Sequence, residues 1–340
     1  MAKTSTQPKR PSLCDRFIVP PFSILDARQG YWQNRKAQWF ALGVRGELGR
    51  NKSTRSAGSW HGSVPHYYTH KQNTEQSIGR KLTHAQFQAQ YLPAILKNSR
   101  LAFTEKGGIV SVFDPVLCEI VCRWFCPPRG SILDPFAGES TKGIVAAYLG
   151  YKYTGVELRR LQIAANRRQA RKIGVRPTWV NGDAARIAAM LKNRKYDMVF
   201  TSPPYYDLEI YSKSKQDGST FSSYKQFMAW YKDVFAQAVQ RLRDNRFLVV
   251  KVGEIRDRRG AYRNFLGDNI ACFRDLGLHY YNEAVLITPH GSLPIRVAGQ
   301  FTATRKLGKT HQNILVFYKG DPKTIKEHCV WEIANVALPE

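Results

Sequence analysis

The stretch Thr201-Ser-Pro-Pro-Tyr-Tyr-Asp207 follows the apolar run Tyr196-Asp-Met-Val-Phe200. Proline has no N–H to give to a sheet ladder, so Pro203 and Pro204 lie at or beyond the last ladder bond of any strand there. What remains is a stiff backbone rich in carbonyl acceptors, with a hydroxyl at Ser202 and a flat ring at Tyr205. Such a corner suits chemistry that needs acceptors in fixed positions beside an aromatic surface. Three acids stand in comparable places: Asp134 after Ser-Ile-Leu, Glu157 after Tyr-Thr-Gly-Val, and Asp183 after Val-Asn-Gly. Asp134 leads through Pro135-Phe136-Ala137 to Gly138, which lets a backbone approach a ligand closely. An acid about twenty residues further on has the spacing of a carboxylate that accepts from two ribose hydroxyls. The third acid is placed to accept from an adenine amino group. The competing reading is that all three simply cap helices.

These residues need a frame. Short apolar runs are expected as strands at 131–136, 152–158, 178–183, 196–202, 246–253, 279–288 and 313–320, with helical stretches between them. That alternation predicts an α/β fold, a mostly parallel Rossmann-like sheet with helices on both faces. Ligands in such sheets bind at the carboxyl ends of the strands, where the distinctive residues fall. Upstream, GYWQNRKAQWFALG predicts an amphipathic helix, and the polar, basic stretch 45–81 predicts a long loop.

The chain has 340 residues, with 52 Lys and Arg against 26 Asp and Glu, a formal net charge of +26. That excess predicts a polyanionic partner, with nucleic acid as the first candidate. No apolar run reaches the roughly 18 residues of a membrane span. The segment MAKTSTQPKRPSLCDR lacks the apolar core of a signal peptide, so a cytoplasmic location is expected. Cys118, Cys122 and Cys126 recur every fourth residue, which puts them on one face of a helix. Their spacing fits neither paired zinc ligands nor cluster-binding runs, so they are expected as core thiols and no metal is expected.

Together, DPFAG, VEL, NGD and TSPPY resemble the amino-methylating DNA methyltransferases, which move a methyl from S-adenosylmethionine to an exocyclic base nitrogen. SVFDP (111–115) is similar to that family's cofactor-side segment. VPPFSILDARQGYWQ, YRNF, GSLPIR and RKLGKTHQNILVFYKGD resemble a methylase group common in phages and prophages. The resemblance implies cofactor contacts from Phe113, Asp134, Phe136, Gly138, Glu157 and Asp183. It implies a catalytic segment Ser202, Pro203, Pro204 and Tyr205. Where many relatives carry Gly-Ser-Gly, this chain has Gly138-Glu139-Ser140; Glu139 either crowds the cofactor carboxylate or points outward.

In this reading the Ser202 hydroxyl and the Pro203 carbonyl each accept an N–H of the amine, turning its lone pair toward the methyl donor, while Tyr205 stacks on the base. The base must leave its duplex first, and a distorted double-stranded DNA must be gripped by its phosphates. Arg256, Arg258 and Arg259, with Arg305, Lys306 and Lys309, are the candidate grips. Ser at the first catalytic position favours cytosine N4 within the resemblance. The rivals are adenine N6 and a catalytically silent DNA-binding protein. The expected organisation is a flexible arm (1–16), a basic and aromatic module with a possible recognition role (17–104), the methyltransferase domain (105–320) and a tail (321–340).

Overall fold

The structure, a computed structural model, describes residues 11–46, 67–91, 113–206, 221–290, 293–333 and 338. Its sheet is built from β1 (Ile24–Asp26), β2 (Ser131–Asp134), β3 (Lys152–Glu157), β4 (Thr178–Asn181), β5 (Tyr196–Thr201), β6 (Leu242–Val252), β7 (His279–Ile287) and β8 (His311–Lys319). The helices are α1 (Leu13–Phe17), α2 (Gly30–Ala41), α3 (Tyr67–Ile78), α4 (His84–Gln90), α5 (Pro115–Phe125) and α6 (Thr141–Tyr148). They continue with α7 (Arg160–Ile173), α8 (Ile187–Leu191), α9 (Tyr224–Arg241), α10 (Phe265–Asp275), α11 (Leu293–Thr304) and α12 (Ile325–His328).

The strands run β1-β7-β8-β6-β5-β2-β3-β4 across one sheet. Every pairing is parallel except those of β8, which is antiparallel to both β6 and β7. From β2 the chain moves outward through β3 and β4, then crosses back so that β5 pairs with the other side of β2. The crevice above β2 and β5 is therefore the topological switch point, the place where such sheets bind ligands. This is the mixed, mostly parallel Rossmann-like sheet expected from the sequence.

Strand residues alternate between two apolar layers. Ile132, Met198, Phe200, Phe247 and Val249 pack on one face with α2, α5 and α6. Leu133, Val199, Leu248 and Val250 pack on the other with α8, α9 and α10. Helix α5 forms because Asp114 caps it, accepting from the Val116 and Leu117 N–H groups, and Pro115 occupies its first turn. Cys118, Cys122 and Cys126 are fully buried in this layer, and burial pushes the Cys118 and Cys126 thiols well above their usual range. They pack as core residues. Among the described residues no group of His, Cys, Asp and Glu is arranged to hold a metal ion, and no helix is long and apolar enough to cross a membrane.

The expected helix at GYWQNRKAQWFALG is α2, with Trp32 and Trp39 buried. It is fastened to α5 through Glu119, which has no exposed surface: Arg35 approaches it at 2.6 Å and 2.8 Å, Trp39 Nε1 at 2.8 Å and Arg123 Nε at 3.3 Å. β1 adds a parallel edge strand to the same sheet. The expected loop over 45–81 needs correction in part. Residues 67–78 are helix α3, and 79–81 lead into α4, whose Thr83 and Gln86 make a capping box. Residues 47–66 of that stretch lie outside the described residues.

Candidate active site at the carboxyl edge of the sheet

β5 ends at Thr201, as two following prolines require. Within the corner the side chains divide by burial. Pro203 and Pro204 are buried, while Ser202 and Tyr205 keep part of their surface open. The stiff elements are anchored in the protein, and the Tyr205 hydroxyl is buried with them. Tyr205 meets the edge of Phe265, with ring centroids 5.9 Å apart. Tyr206, at φ 43°, turns back into the core.

Asp134 ties this corner to the glycine loop. The Thr201 hydroxyl donates to Asp134 Oδ1 at 2.6 Å, and the Phe136 N–H to the same oxygen at 3.1 Å. The Tyr153 hydroxyl donates to Oδ2 at 2.7 Å, and Lys142 Nζ lies 2.7 Å from it. Burial, and then the neighbouring Asp134 carboxylate, push the Tyr153 phenol well above its usual range, so it stays a donor. Asp134 has no exposed surface and both its oxygens are engaged. Asp134 is thus the hub that fixes Thr201, and hence Ser202, against the loop from Phe136 to Lys142.

Gly138 takes φ 58°, a left-handed conformation that a side chain would strain, and a Cβ built there would meet nothing within 4 Å. That leaves open space beside the switch point. Glu139 neither points outward nor stands free in it. Its Oε2 accepts from the Thr141 N–H and hydroxyl, both at 2.7 Å, and its Oε1 from the Phe113 N–H at 3.3 Å. It thus starts helix α6 and fastens the Phe113 segment to the glycine loop. Phe113 is itself buried, with Lys142 Nζ 5.4 Å and Lys251 Nζ 4.8 Å from its ring centroid.

Glu157 closes β3, where its Oε1 accepts from the Arg159 N–H at 2.8 Å. The Gly182 N–H donates to the Glu157 carbonyl at 3.1 Å, which brings the β4 end beside it. Asp183 caps the short turn after β4 by accepting from the Ala185 N–H at 2.9 Å, so for this acid the capping role is realised. Phe136 is linked through Trp230 and Phe227 to Tyr206, with successive centroid distances of 5.7, 5.9 and 5.5 Å. An aromatic wall thus runs from the glycine loop to the proline corner.

The six expected DNA contacts gather on the same edge. After β6, residues 254–264 fold into a small hairpin closed by the Arg256–Tyr262 bridge. The Arg256 guanidinium is spent inside it, stacked 3.9 Å from the Tyr262 ring centroid and donating to the Gly260 carbonyl at 2.7 Å. Arg258 and Arg259 are exposed at the tip. Lys306 lies against Gly260, and Lys309 Nζ donates to the Glu254 carbonyl at 3.1 Å. Arg305 is exposed and packs on Phe301. Sequence reasoning passed over Lys142, Lys251 and Tyr153. The available signal was a lone lysine inside an otherwise apolar run, which demands a buried partner.

Residues 196–336 match the DNA methylase family N6_N4_Mtase. The match begins at β5 and so contains the proline corner, the hairpin and α11, but not the glycine loop. No curated protein matches the chain. Among solved structures, a precorrin-6y C5,15-methyltransferase from Geobacter metallireducens is 13% identical, with 64% of this chain and 94% of that one covered and a TM-score of 0.40. An rRNA methylase from Streptococcus thermophilus is 8% identical, covering 62% and 100%, with a TM-score of 0.39. Residues 196–336 thus match a DNA methylase domain, and the enzyme class is that of a DNA methyltransferase using S-adenosylmethionine.

Proposed function

We propose that the chain methylates the exocyclic N4 of a cytosine flipped out of double-stranded DNA. The observation that carries the reading is the Thr201–Asp134 hydrogen bond, which locks the proline corner to the glycine loop across the switch point. The open, left-handed Gly138 and the acids at the ends of β3 and β4 suit S-adenosylmethionine. When bound, it supplies an electrophilic methyl group on sulfur. Phe136, Gly138, Glu157 and Asp183 are the residues proposed to line it, with Phe113 beside them.

The protein's own part is positional. The Ser202 hydroxyl and the Pro203 carbonyl accept the two N–H bonds of the target amine. With both hydrogens held, the nitrogen lone pair is drawn out of conjugation with the ring and directed along the transfer axis. Buried Pro203 and Pro204 keep those acceptors from turning away, and the open face of Tyr205 supports the base. Arg258, Arg259, Arg305, Lys306 and Lys309 hold the phosphates of a duplex that has lost a base from its stack. Such an enzyme works where cellular DNA is, in the cytoplasm of a bacterial or phage-infected cell.

Nucleoside analysis of duplex DNA treated with the purified chain and S-adenosylmethionine tests this. N4-methylcytosine is the expected product. N6-methyladenine would replace the cytosine reading, and unmodified DNA would overturn the activity.

A further inference from the structure

The basic edge holds an element that phosphate gripping does not require. β7 runs in the same direction as β6, and β8 starts where β7 ends, so residues 288–290 and 293–310 between them rise from the edge that bears Ser202. Their base is closed by the Thr288 N–H donating to the Thr310 carbonyl at 2.9 Å, and Leu293 packs against Gly308. On that base stands α11. Residues 298–304 are all exposed, including Phe301 at 41%. Between Ile287 and His311 the sequence has four Lys or Arg residues and no acid.

An exposed helix carrying apolar and amide side chains, flanked only by cations, is an odd surface to leave in water. Its chemistry is that of a groove reader. The DNA major groove admits an α-helix, an amide pairs with adenine N6 and N7, and Ala, Thr and Phe side chains contact the thymine methyl. Gln300, Phe301 and Thr304 offer those groups from one side of the helix. Ala298, Gly299 and Ala303 leave room for close approach, and a Cβ at Gly299 would meet nothing within 4 Å. Twelve residues span about 18 Å. Beside it stand the phosphate-binding candidates: Arg305 and Lys306 follow the helix, and Lys306 lies against Gly260 of the hairpin that bears Arg258 and Arg259.

We infer that α11 lies in the major groove of the target duplex and reads the bases beside the methylated one, with Gln300 and Thr304, four residues apart on one face, as the reading side chains. The inference rests on the DNA methyltransferase reading above and assigns recognition to 293–304 rather than to 45–81.

The test is base-level methylation sequencing of mixed-sequence duplex DNA treated with the wild-type chain, then with Gln300→Ala/Thr304→Ala and, separately, Arg258→Ala/Arg259→Ala. Both pairs are exposed, and circular dichroism verifies the fold of each variant. The α11 pair is expected to relax the target consensus, lowering preferred-over-random methylation about tenfold or more, with S-adenosylmethionine affinity and the salt dependence of DNA binding unchanged. The hairpin pair is expected to weaken every sequence alike and reduce the salt slope. An unchanged consensus in the α11 pair overturns the inference and leaves the helix to another occupant. A uniform loss with a reduced salt slope also overturns it, making α11 a phosphate grip. A wild-type chain that binds S-adenosylmethionine but methylates no duplex overturns the enzymatic reading itself, separately from either result.

Discussion

At the scale of single residues, burial sorts the proline corner into anchors and actors. Ser202 is partly open while its neighbours Thr201 and Pro203 are not. Removing its hydroxyl leaves Thr201 and Asp134 in place, so Ser202→Ala is expected to lower kcat about a hundredfold, the scale of a lost preorganised hydrogen-bond partner. S-adenosylmethionine affinity, measured by titration, should stay near wild type. Equal loss of both would make the segment structural. Asp134 shows where reading from sequence stopped. Its position at a strand end was legible, but a carboxylate's partners lie far along the chain. Thr201 is 67 residues away, and no local pattern announces that the two will meet. Glu139 teaches the same lesson, since its partner Phe113 lies 26 residues upstream.

At the scale of elements, two polar anchors hold the frame. Glu119 is a buried carboxylate with donors from Arg35, Trp39 and Arg123, and it joins α2 to α5. Glu119→Ala strands two buried or half-buried guanidinium groups and is expected to cost about 3–5 kcal/mol in denaturant unfolding. At the far end of β5, burial pushes the Asp197 carboxyl up, but the Ser131 N–H and hydroxyl and Arg243 outweigh it and hold it below its ordinary value. A carboxyl lowered by folding stabilises above its unfolded value of about 3.9 and loses that contribution as pH falls through the lower folded value. Asp197→Asn should therefore flatten the acid limb of stability against pH while lowering stability at neutral pH. Equilibrium unfolding at a series of pH values checks both.

The strands with strong apolar runs were legible within a few residues, because burial on both faces writes continuous hydrophobic stretches. β1 was not. Three residues carry too little pattern, and its pairing is supplied by β7. Helix α3 reads YYTHKQNTEQSI, polar nearly all round, so the expected loop concealed it. Helix α11 was hidden for the opposite reason, being mildly apolar yet exposed.

At the scale of the whole molecule, the +26 charge and the basic carboxyl edge predict binding dominated by counterion release. If about six phosphates are neutralised, raising salt from about 50 to 200 mM should weaken DNA binding roughly a thousandfold. Fluorescence anisotropy across a salt series gives the slope, and a flat line would deny the edge its role. The wider pattern is that corner, glycine loop, hairpin and α11 all rise from strand ends pointing one way.

That polarity leaves a second rim, at the amino ends of the parallel strands, on the side of the sheet away from the proposed site. The turn at Arg194–Lys195, exposed just before β5 begins, sits a full strand's length from Ser202. A dye, a surface tether or a fused domain attached there would hang from the underside of the sheet, clear of any duplex lying across the top. The protein comes with a handle, and immobilising it by that turn should leave turnover intact.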